Sequence, residues 1–162
     1  MRSSSLLAEV PRLGERGGGW VVLQFAVMAA VVGAGVVGSG WPAARLLVAA
    51  GILVALAGAA VAVAAGRAHE GSLTPFPRPN PGAPLVERGP YRVVRHPIYS
   101  GGTLFFVGVS LALSPAALAV TGVLVFVWAL KARVEEDFLR AADPGYVAYC
   151  ERTRFRLVPY VY

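Results

Sequence analysis

The residues best suited to bind a charged ligand fall in two short groups, each beside a long apolar segment. The first group consists of Tyr91, Arg95, His96, Pro97, Tyr99, Gly101 and Gly102. Proline suits the first position of a helix, and the free amides of a helix N-terminus attract anions. The group therefore predicts a ligand-binding helix start. A belt of arginine and tyrosine that anchors the helix to lipid headgroups explains the same residues equally well.

The second group is the pair Glu135-Glu136, at the end of the last apolar segment. Carboxylates at the C-terminal end of a helix oppose its dipole, which favours cations there. Lys131 can offset Glu135 as an i,i+4 pair, whereas Glu136 has no partner of the same quality in the sequence. Two interpretations remain open: a solvated helix extension that continues to Ala142, or carboxylates aimed at a cationic ligand or at hydroxyl groups.

The composition places both groups in a membrane-embedded chain. The 162 residues are 56% hydrophobic and 15% charged, with a mean hydropathy of +0.61, whereas soluble domains are about 45–50% apolar and about 25% charged. Disorder is excluded, because it needs low hydrophobicity, and an ordinary water-soluble enzyme is nearly excluded. Cys150 is the only cysteine, so no internal disulfide forms and nothing supports a cysteine-rich metal site.

Uncharged windows locate the membrane spans at residues 17–44, 46–66 and 97–130. About 20 apolar residues cross a hydrocarbon core, so the first two windows are one helix each. The third would be roughly 50 Å long as one helix, and Ser114-Pro115 interrupts it. We therefore predict four helices at about 18–38, 45–66, 97–113 and 116–133, in a single domain of residues 1–162. One long proline-kinked helix is the alternative, and it would place the C-terminal segment on the opposite side.

The basic residues predict the orientation. Of the 15 Lys and Arg residues, 14 fall on one side of a four-helix arrangement and only Arg45 on the other. The positive-inside rule makes that side cytoplasmic, so the fold class is an all-α integral membrane protein with both termini inside. The net charge of +6 then gives no reason to invoke nucleic acid. The last two helices should form a hairpin that brings His96 close to Glu136.

Three further segments complete the predicted organisation. The loop 67–96 is extended, because prolines recur through its middle, and the tail 134–162 is a cytoplasmic helical segment. In the second helix Gly51, Ala55 and Ala59 recur at every fourth position, a spacing that lets helix backbones approach closely. Packing within the chain explains this stripe at least as well as dimerisation, so the oligomeric state stays open.

The ordered motifs resemble a known family. They are Gly89-Pro90-Tyr91-Arg92-x-x-Arg95-His96-Pro97-x-Tyr99-x-Gly101, a hydrophobic hairpin, Glu135-Glu136, Tyr146-x-x-Tyr149 and a basic stretch that closes on Pro159. This half of the chain, about residues 85–159, resembles the isoprenylcysteine carboxyl methyltransferases and is similar to the phospholipid N-methyltransferases. The tail departs from the family pattern around residues 142–146 and 153–159.

The resemblance implies a methyltransferase in a prokaryotic plasma membrane that uses S-adenosylmethionine, with its site facing the cytoplasm and no metal. The acceptor would be lipophilic, either an isoprenylcysteine-like carboxylate or a lipid amine. The loop 67–96 and the tail 134–162 would form the cofactor site. The implied cofactor-binding residues are Tyr91, Arg95, His96, Pro97, Tyr99, Gly101, Gly102, Glu135 and Glu136. Glu136 would also be the base for an amine, while Arg133, Arg154 or Arg156 would position a carboxylate.

Two other functions compete with this one. Sterol reductases carry a similar Arg-His-Pro-x-Tyr stretch and use NADPH, so a membrane sterol or enoyl reductase is an alternative. The adjacent carboxylates favour the methyltransferase, because a reductase needs more basic contacts for the 2′-phosphate. A non-enzymatic membrane subunit is the third hypothesis.

Overall fold

The computed structural model describes residues 10–42, 44–159 and 161, and helices dominate them with no strand in those ranges. Five α-helices follow one another along the chain: α1 Gly18–Val37, α2 Ala44–Arg67, α3 Pro97–Leu113, α4 Pro115–Ala142 and α5 Gly145–Arg152. A short 3-10 turn, Gly89–Arg92, lies between α2 and α3. The helix α4 continues beyond the predicted residue 133, so the first part of the predicted tail belongs to it.

Three of these helices are long and apolar enough to cross a membrane, namely α1, α2 and α4. The helix α3 is apolar but has 17 residues, which is short for a bilayer core of about 30 Å at 1.5 Å per residue. The fourth span and the orientation of the helices therefore stay predictions. The outward faces of α1 and α2 carry large exposed side chains such as Val36, Leu46 and Leu53, which suits contact with lipid.

The break between α3 and α4 is a single residue. Ser114 adopts an extended conformation, and its hydroxyl accepts a hydrogen bond from Ala117 N at 3.2 Å. The same hydroxyl donates to Ala34 O in α1 at 3.1 Å, and Pro115 occupies the first helical position of α4, where its missing N–H costs nothing. The two helices consequently turn back on one another, as the Ser-Pro pair predicts.

Glycines allow α2 and α3 to pack backbone against backbone. A Cβ placed on Gly58 would lie 2.6 Å from Gly101 O, and one placed on Gly101 would lie 2.7 Å from Gly58 O. Gly51 and Gly108 face each other in the same way, because a Cβ on either would lie 2.5 Å from the carbonyl oxygen of the other. The small residues of α2 are therefore used within the chain, the first of the two uses expected for them.

The helices α1 and α4 form the second packed pair. Val31 of α1 belongs to the same buried cluster as Ala117, Leu124 and Trp128 of α4. Trp128 donates its indole N–H to Gln24 Oε1 at 3.3 Å. Phe106 of α3 joins this cluster, so the two helix pairs share one core. The start of α3 and the last turns of α4 lie together at one end of this core.

Candidate functional site

A cleft of about 1270 Å³ opens where α3 begins and α4 leaves the apolar core. Its walls come from the start of α3, the last turns of α4, the helix α5 and the loop between α2 and α3. Five of the residues implied by the resemblance line it: Tyr91, Arg95, His96, Tyr99 and Glu135. The cleft therefore combines both sequence groups with the middle of the loop between α2 and α3, a stretch that carries none of the motif residues.

Behind the cleft, Glu136 is the centre of a buried ionic cluster. Its side chain is 0% exposed, and it accepts hydrogen bonds from Arg95 Nε at 2.8 Å, Arg156 Nε at 3.0 Å and Arg140 Nη2 at 2.8 Å. His96 Nε2 lies 3.4 Å from the same carboxylate. Buried charges persist only when paired in this way. Arg140 is an i,i+4 partner on α4 itself, whereas Arg95 and His96 come from the start of α3 and Arg156 from the tail, where local sequence spacing cannot show them.

Arg95 fastens the tail to the start of α3. Its Nη1 donates to Thr153 O at 2.9 Å and to Arg154 O at 2.8 Å. Two main-chain hydrogen bonds also join the tail to this segment: Arg95 N donates to Phe155 O and His96 N donates to Arg156 O, both at 2.9 Å. Arg95 therefore contributes to the cleft mainly by fixing the chain that surrounds it.

Glu135 faces the cleft and is surrounded by donors. It accepts a short hydrogen bond from the Tyr99 hydroxyl. His96 Nδ1 lies 3.3 Å from its Oε2, and Lys131 Nζ lies 4.0 Å from its Oε1. Burial lowers the pKa of His96, but hydrogen bonding to and charge from Glu135 and Glu136 outweigh it, so the pKa of His96 is raised. His96 therefore favours the cationic form between two carboxylates.

Lys131 is a buried cation that joins three parts of the chain. Its Nζ donates to Gln24 Oε1 in α1 and to Pro75 O in the loop, each at 2.7 Å. The ammonium also lies 5.4 Å from the centre of the Tyr99 ring, within the range of a cation–π contact. Tyr99 in turn stacks between His96 and Trp128 at ring separations of 5.7 and 5.6 Å. Lys131 thereby holds the loop against the helices.

The loop between α2 and α3 (residues 68–96, the proline-rich loop) is also held by the segment before α1. The guanidinium of Arg16 lies 4.7 Å from the Phe76 ring centre, and its Nη2 donates to Asn80 Oδ1 at 2.9 Å. Arg78 N donates to Arg16 O at 3.3 Å. The proline-containing stretch of the loop is not helical, as its prolines predict, and it forms one wall of the cleft.

At the other end of this loop, His69 contacts Tyr91. His69 Nε2 lies 2.7 Å from the Tyr91 hydroxyl, and both side chains line the cleft. Burial lowers the pKa of His69 and only the charge of Glu135 opposes it. Burial, assisted by the charge of Glu135, raises the pKa of the Tyr91 hydroxyl. Tyr149 of α5 fixes Tyr91 from behind by donating to its carbonyl oxygen at 2.8 Å.

Tyr146 brings a buried hydroxyl group to the wall of the cleft. Its side chain lines the cleft, and its hydroxyl is buried without a hydrogen-bond partner in the part of the chain that the structure describes. Burial and then the charge of Glu136 raise the pKa of this hydroxyl, so it is a neutral donor and acceptor. A buried polar group of this kind is an expected contact for a bound ligand.

The other predicted site residues lie outside the lining. Gly101 packs on α2, and a Cβ on Gly102 would lie 2.7 Å from the Trp128 ring, so both glycines serve helix packing. Pro97 is buried at the first position of α3. Glu136 and Arg156 pair behind the cleft, and Arg133 is exposed on α4.

Sequence reasoning missed four residues of this site: Gln24, His69, Lys131 as a loop anchor and Tyr146 as an unsatisfied hydroxyl. Gln24 was detectable as the only polar side chain in the middle of an apolar span, where such groups find partners in the bundle. The others depend on the path of the loop and the tail, which leaves no periodic signal.

Comparisons with known proteins agree with this architecture of apolar helices that end at a polar cleft. Residues 41–142 match the phospholipid methyltransferase family, and the chain belongs to that family. The matched range includes α2, α3 and α4, the proline-rich loop and both carboxylates of the second group. Family membership and the three candidate spans together indicate a membrane protein and a methyltransferase.

A curated relative is similar over a shorter stretch. The cobalt-zinc-cadmium resistance protein CzcN of Cupriavidus metallidurans is 40% identical over 73 residues, which is 43% of this chain and 33% of that protein. The matched part of the chain thus spans about a third of the relative's length. This similarity adds no information about the reaction.

Proposed function

We propose that the protein transfers a methyl group from S-adenosylmethionine to a lipophilic acceptor at the cytoplasmic face of the membrane. The observation that carries this proposal is the cleft itself, whose polar lining stands where two apolar helices end, in a chain of the phospholipid methyltransferase family. A polar cofactor and a lipophilic acceptor need a site of this kind, since one arrives from water and the other from the bilayer.

The donor set of the cleft fits this cofactor. Its ammonium and ribose hydroxyls suit a carboxylate, and Glu135 is 17% exposed in the cleft. Its sulfonium and adenine suit aromatic side chains, which Tyr91 and Tyr146 supply in the cleft wall. The unsatisfied hydroxyl of Tyr146 offers one further polar contact.

The bound cofactor would supply an electrophilic methyl group. The contribution of the chain is to position the acceptor in line with that methyl and to exclude water, because correct positioning of two reactants can supply about 7–11 kcal/mol of the barrier. Lys131 and Arg16 hold the proline-rich loop over the cleft. Arg95 and Glu136 hold the tail behind it.

The buried cluster changes the roles that we propose for Glu136 and Arg156. Because the Glu136 carboxylate is paired with three guanidiniums, it is a positioning residue and a poor base. Arg156 donates a hydrogen bond through its Nε to the same carboxylate. Arg133, exposed on α4, stays a proposed contact for an acidic acceptor.

Binding of S-adenosylhomocysteine to the purified protein in lipid nanodiscs, measured by isothermal titration calorimetry, tests the proposal. Glu135→Gln and Tyr146→Phe should weaken binding by about 10-fold or more, because a hydrogen bond to a charged group contributes about 1.5–3 kcal/mol. Asp137→Asn is the matched control, since Asp137 neighbours the pair and is exposed. Absence of binding to the wild type, or binding of NADPH in its place, would refute the proposal.

A further inference from the structure

The proposed methyl transfer needs a proton acceptor whenever the attacking atom of the acceptor carries a proton. An amine must be neutral to attack, and thiols and hydroxyls must lose their proton. The carboxylates near the cleft are Glu15, Glu135, Glu136 and Asp143, and the histidines are His69 and His96. These groups differ in burial and in hydrogen-bond partners, and therefore in how readily each can accept a proton.

Five of these six groups are less suited to accept the proton. Glu15 is exposed before α1, and Asp143 accepts a hydrogen bond from Gly145 N at 2.7 Å. Glu136 is fully buried and paired with Arg95, Arg140 and Arg156. Glu135 already accepts from the Tyr99 hydroxyl. His96 lies 3.3 and 3.4 Å from carboxylate oxygens through its two ring nitrogens, so its cationic form is favoured and leaves no lone pair.

His69 is the remaining group and has the opposite environment. It is half-buried in the cleft wall at the end of α2, and its Nε2 contacts the Tyr91 hydroxyl at 2.7 Å. The acidic group that faces it from α4 is Glu135, and Tyr91 faces it from the 3-10 turn, with Tyr149 of α5 behind. Burial lowers the pKa of His69, which keeps its imidazole neutral.

Nearby surface charges are paired elsewhere. Glu70, the next residue after His69, lies 2.5 Å from Arg88 Nη2. Arg88 also donates to Ala68 O at 2.9 Å through the same nitrogen. Neither charge is needed to keep the His69 imidazole in place, because the Tyr91 hydroxyl and the turn after α2 do so.

We propose that His69 and Tyr91 form the proton-accepting pair of this site. This inference rests on the proposed function. In the step, the X–H bond of the acceptor breaks and X forms a bond to the methyl carbon, whose bond to sulfur breaks with both electrons left on a neutral thioether. The proton of X passes to the Tyr91 oxygen while the Tyr91 proton passes to His69 Nε2. The positive charge thereby moves from the sulfonium to the imidazolium.

Tyr91 acts as a relay and not as a phenolate. Burial and the charge of Glu135 raise the pKa of its hydroxyl, so Tyr91 gives up its proton only while it receives another. A carboxylate acceptor, already ionised, makes no use of the pair. The pair consequently distinguishes acceptors that carry a removable proton from those that do not.

The test uses the full chain in nanodiscs with three probes: dioleoylphosphatidylethanolamine, octanethiol and N-acetyl-S-farnesylcysteine. His69→Ala should lower kcat/KM for the amine or thiol, relative to that for the carboxylate, by about 100-fold or more, the usual effect of a general base. Added imidazole should restore part of the rate in His69→Ala but not in the bulkier His69→Gln. Tyr91→Phe should lower the same rates without rescue.

Two readouts are independent of turnover. His69→Ala should still bind S-adenosylhomocysteine, and the imidazole nitrogens of His69 should titrate below the ordinary histidine pKa in NMR spectra. Full activity of His69→Ala on the amine or thiol would overturn the proposal, as would methylation of the carboxylate alone or of none of the probes by a protein that binds S-adenosylhomocysteine. Failure of wild type to bind it would reject the proposed function first, and the pair with it.

Discussion

Replacing Glu136 by alanine tests the buried ionic cluster most directly. The change leaves Arg95, with 9% of its side chain exposed, and His96, with 7% exposed, without their carboxylate. Removing one partner of a buried ion pair costs about 3–5 kcal/mol, because the other charge stays desolvated. We expect a loss of folding free energy in this range.

Arg140→Ala gives the matched comparison on the same carboxylate. Arg140 is 41% exposed and four residues after Glu136, and exposed pairs at this spacing contribute about 0.3–0.5 kcal/mol. The loss of free energy of unfolding should thus be several-fold larger in Glu136→Ala than in Arg140→Ala, although each variant removes one member of the same cluster.

Equilibrium unfolding in mixed detergent micelles, followed by tryptophan fluorescence, measures both free energies. Limited trypsin digestion adds a local readout, since the tail is held by Arg95 through the carbonyls of Thr153 and Arg154. Glu136→Ala should accelerate cleavage after Arg154 and Arg156. Equal stability of the two alanine variants, with unchanged cleavage, would refute the account of Glu136 as the centre of the cluster.

Three more predictions follow from the packing and the charges. Gly58→Ala should destabilise the fold by about 1–3 kcal/mol through a clash with α3, whereas Gly122→Ala, with nothing near its Cβ, should be neutral or stabilising by up to about 1 kcal/mol in the same unfolding assay. Lys131→Met should raise amide hydrogen exchange in the proline-rich loop, because Pro75 O loses a charged donor; unchanged exchange would contradict the anchoring role. The pKa of His96 is raised above the ordinary 6.5, so its stabilising contribution is complete below that pH and is lost as the pH rises through the folded-state pKa. The stability difference between wild type and His96→Gln should shrink over that interval, and a constant difference would count against the cationic form.

The sequence predicted the helices well, because uncharged windows and the Ser114-Pro115 break are local signals. The helix α3 spans Pro97–Leu113 as expected, and His96 lies beside Glu136 as the predicted hairpin requires. The end of α4 at Ala142 agrees with the helix extension that was one of the two interpretations of the Glu135-Glu136 pair. The sequence could show the i,i+4 partners Lys131 and Arg140 but not the partners that come from distant segments.

The cleft was only partly predictable. The motif residues Arg95, His96 and Glu135 could be grouped because they flank one hairpin. The contact of His69 with Tyr91 and the bond from Lys131 to the loop depend on how a proline-rich segment folds back. Such a path follows from tertiary contacts, and no periodicity in the loop records it.

The backbone contact between α2 and α3 has a mechanical consequence for the proposed enzyme. Because α2 and α3 meet through glycines at this distance, no layer of side chains separates their backbones. Gly58 and Gly101 therefore hold the two helices together as one rigid unit. The opposite wall of the cleft is a loop held by a few hydrogen bonds and one buried lysine. Entry and release of ligands should therefore occur by deformation of the loop, and its opening rate would set an upper limit on turnover.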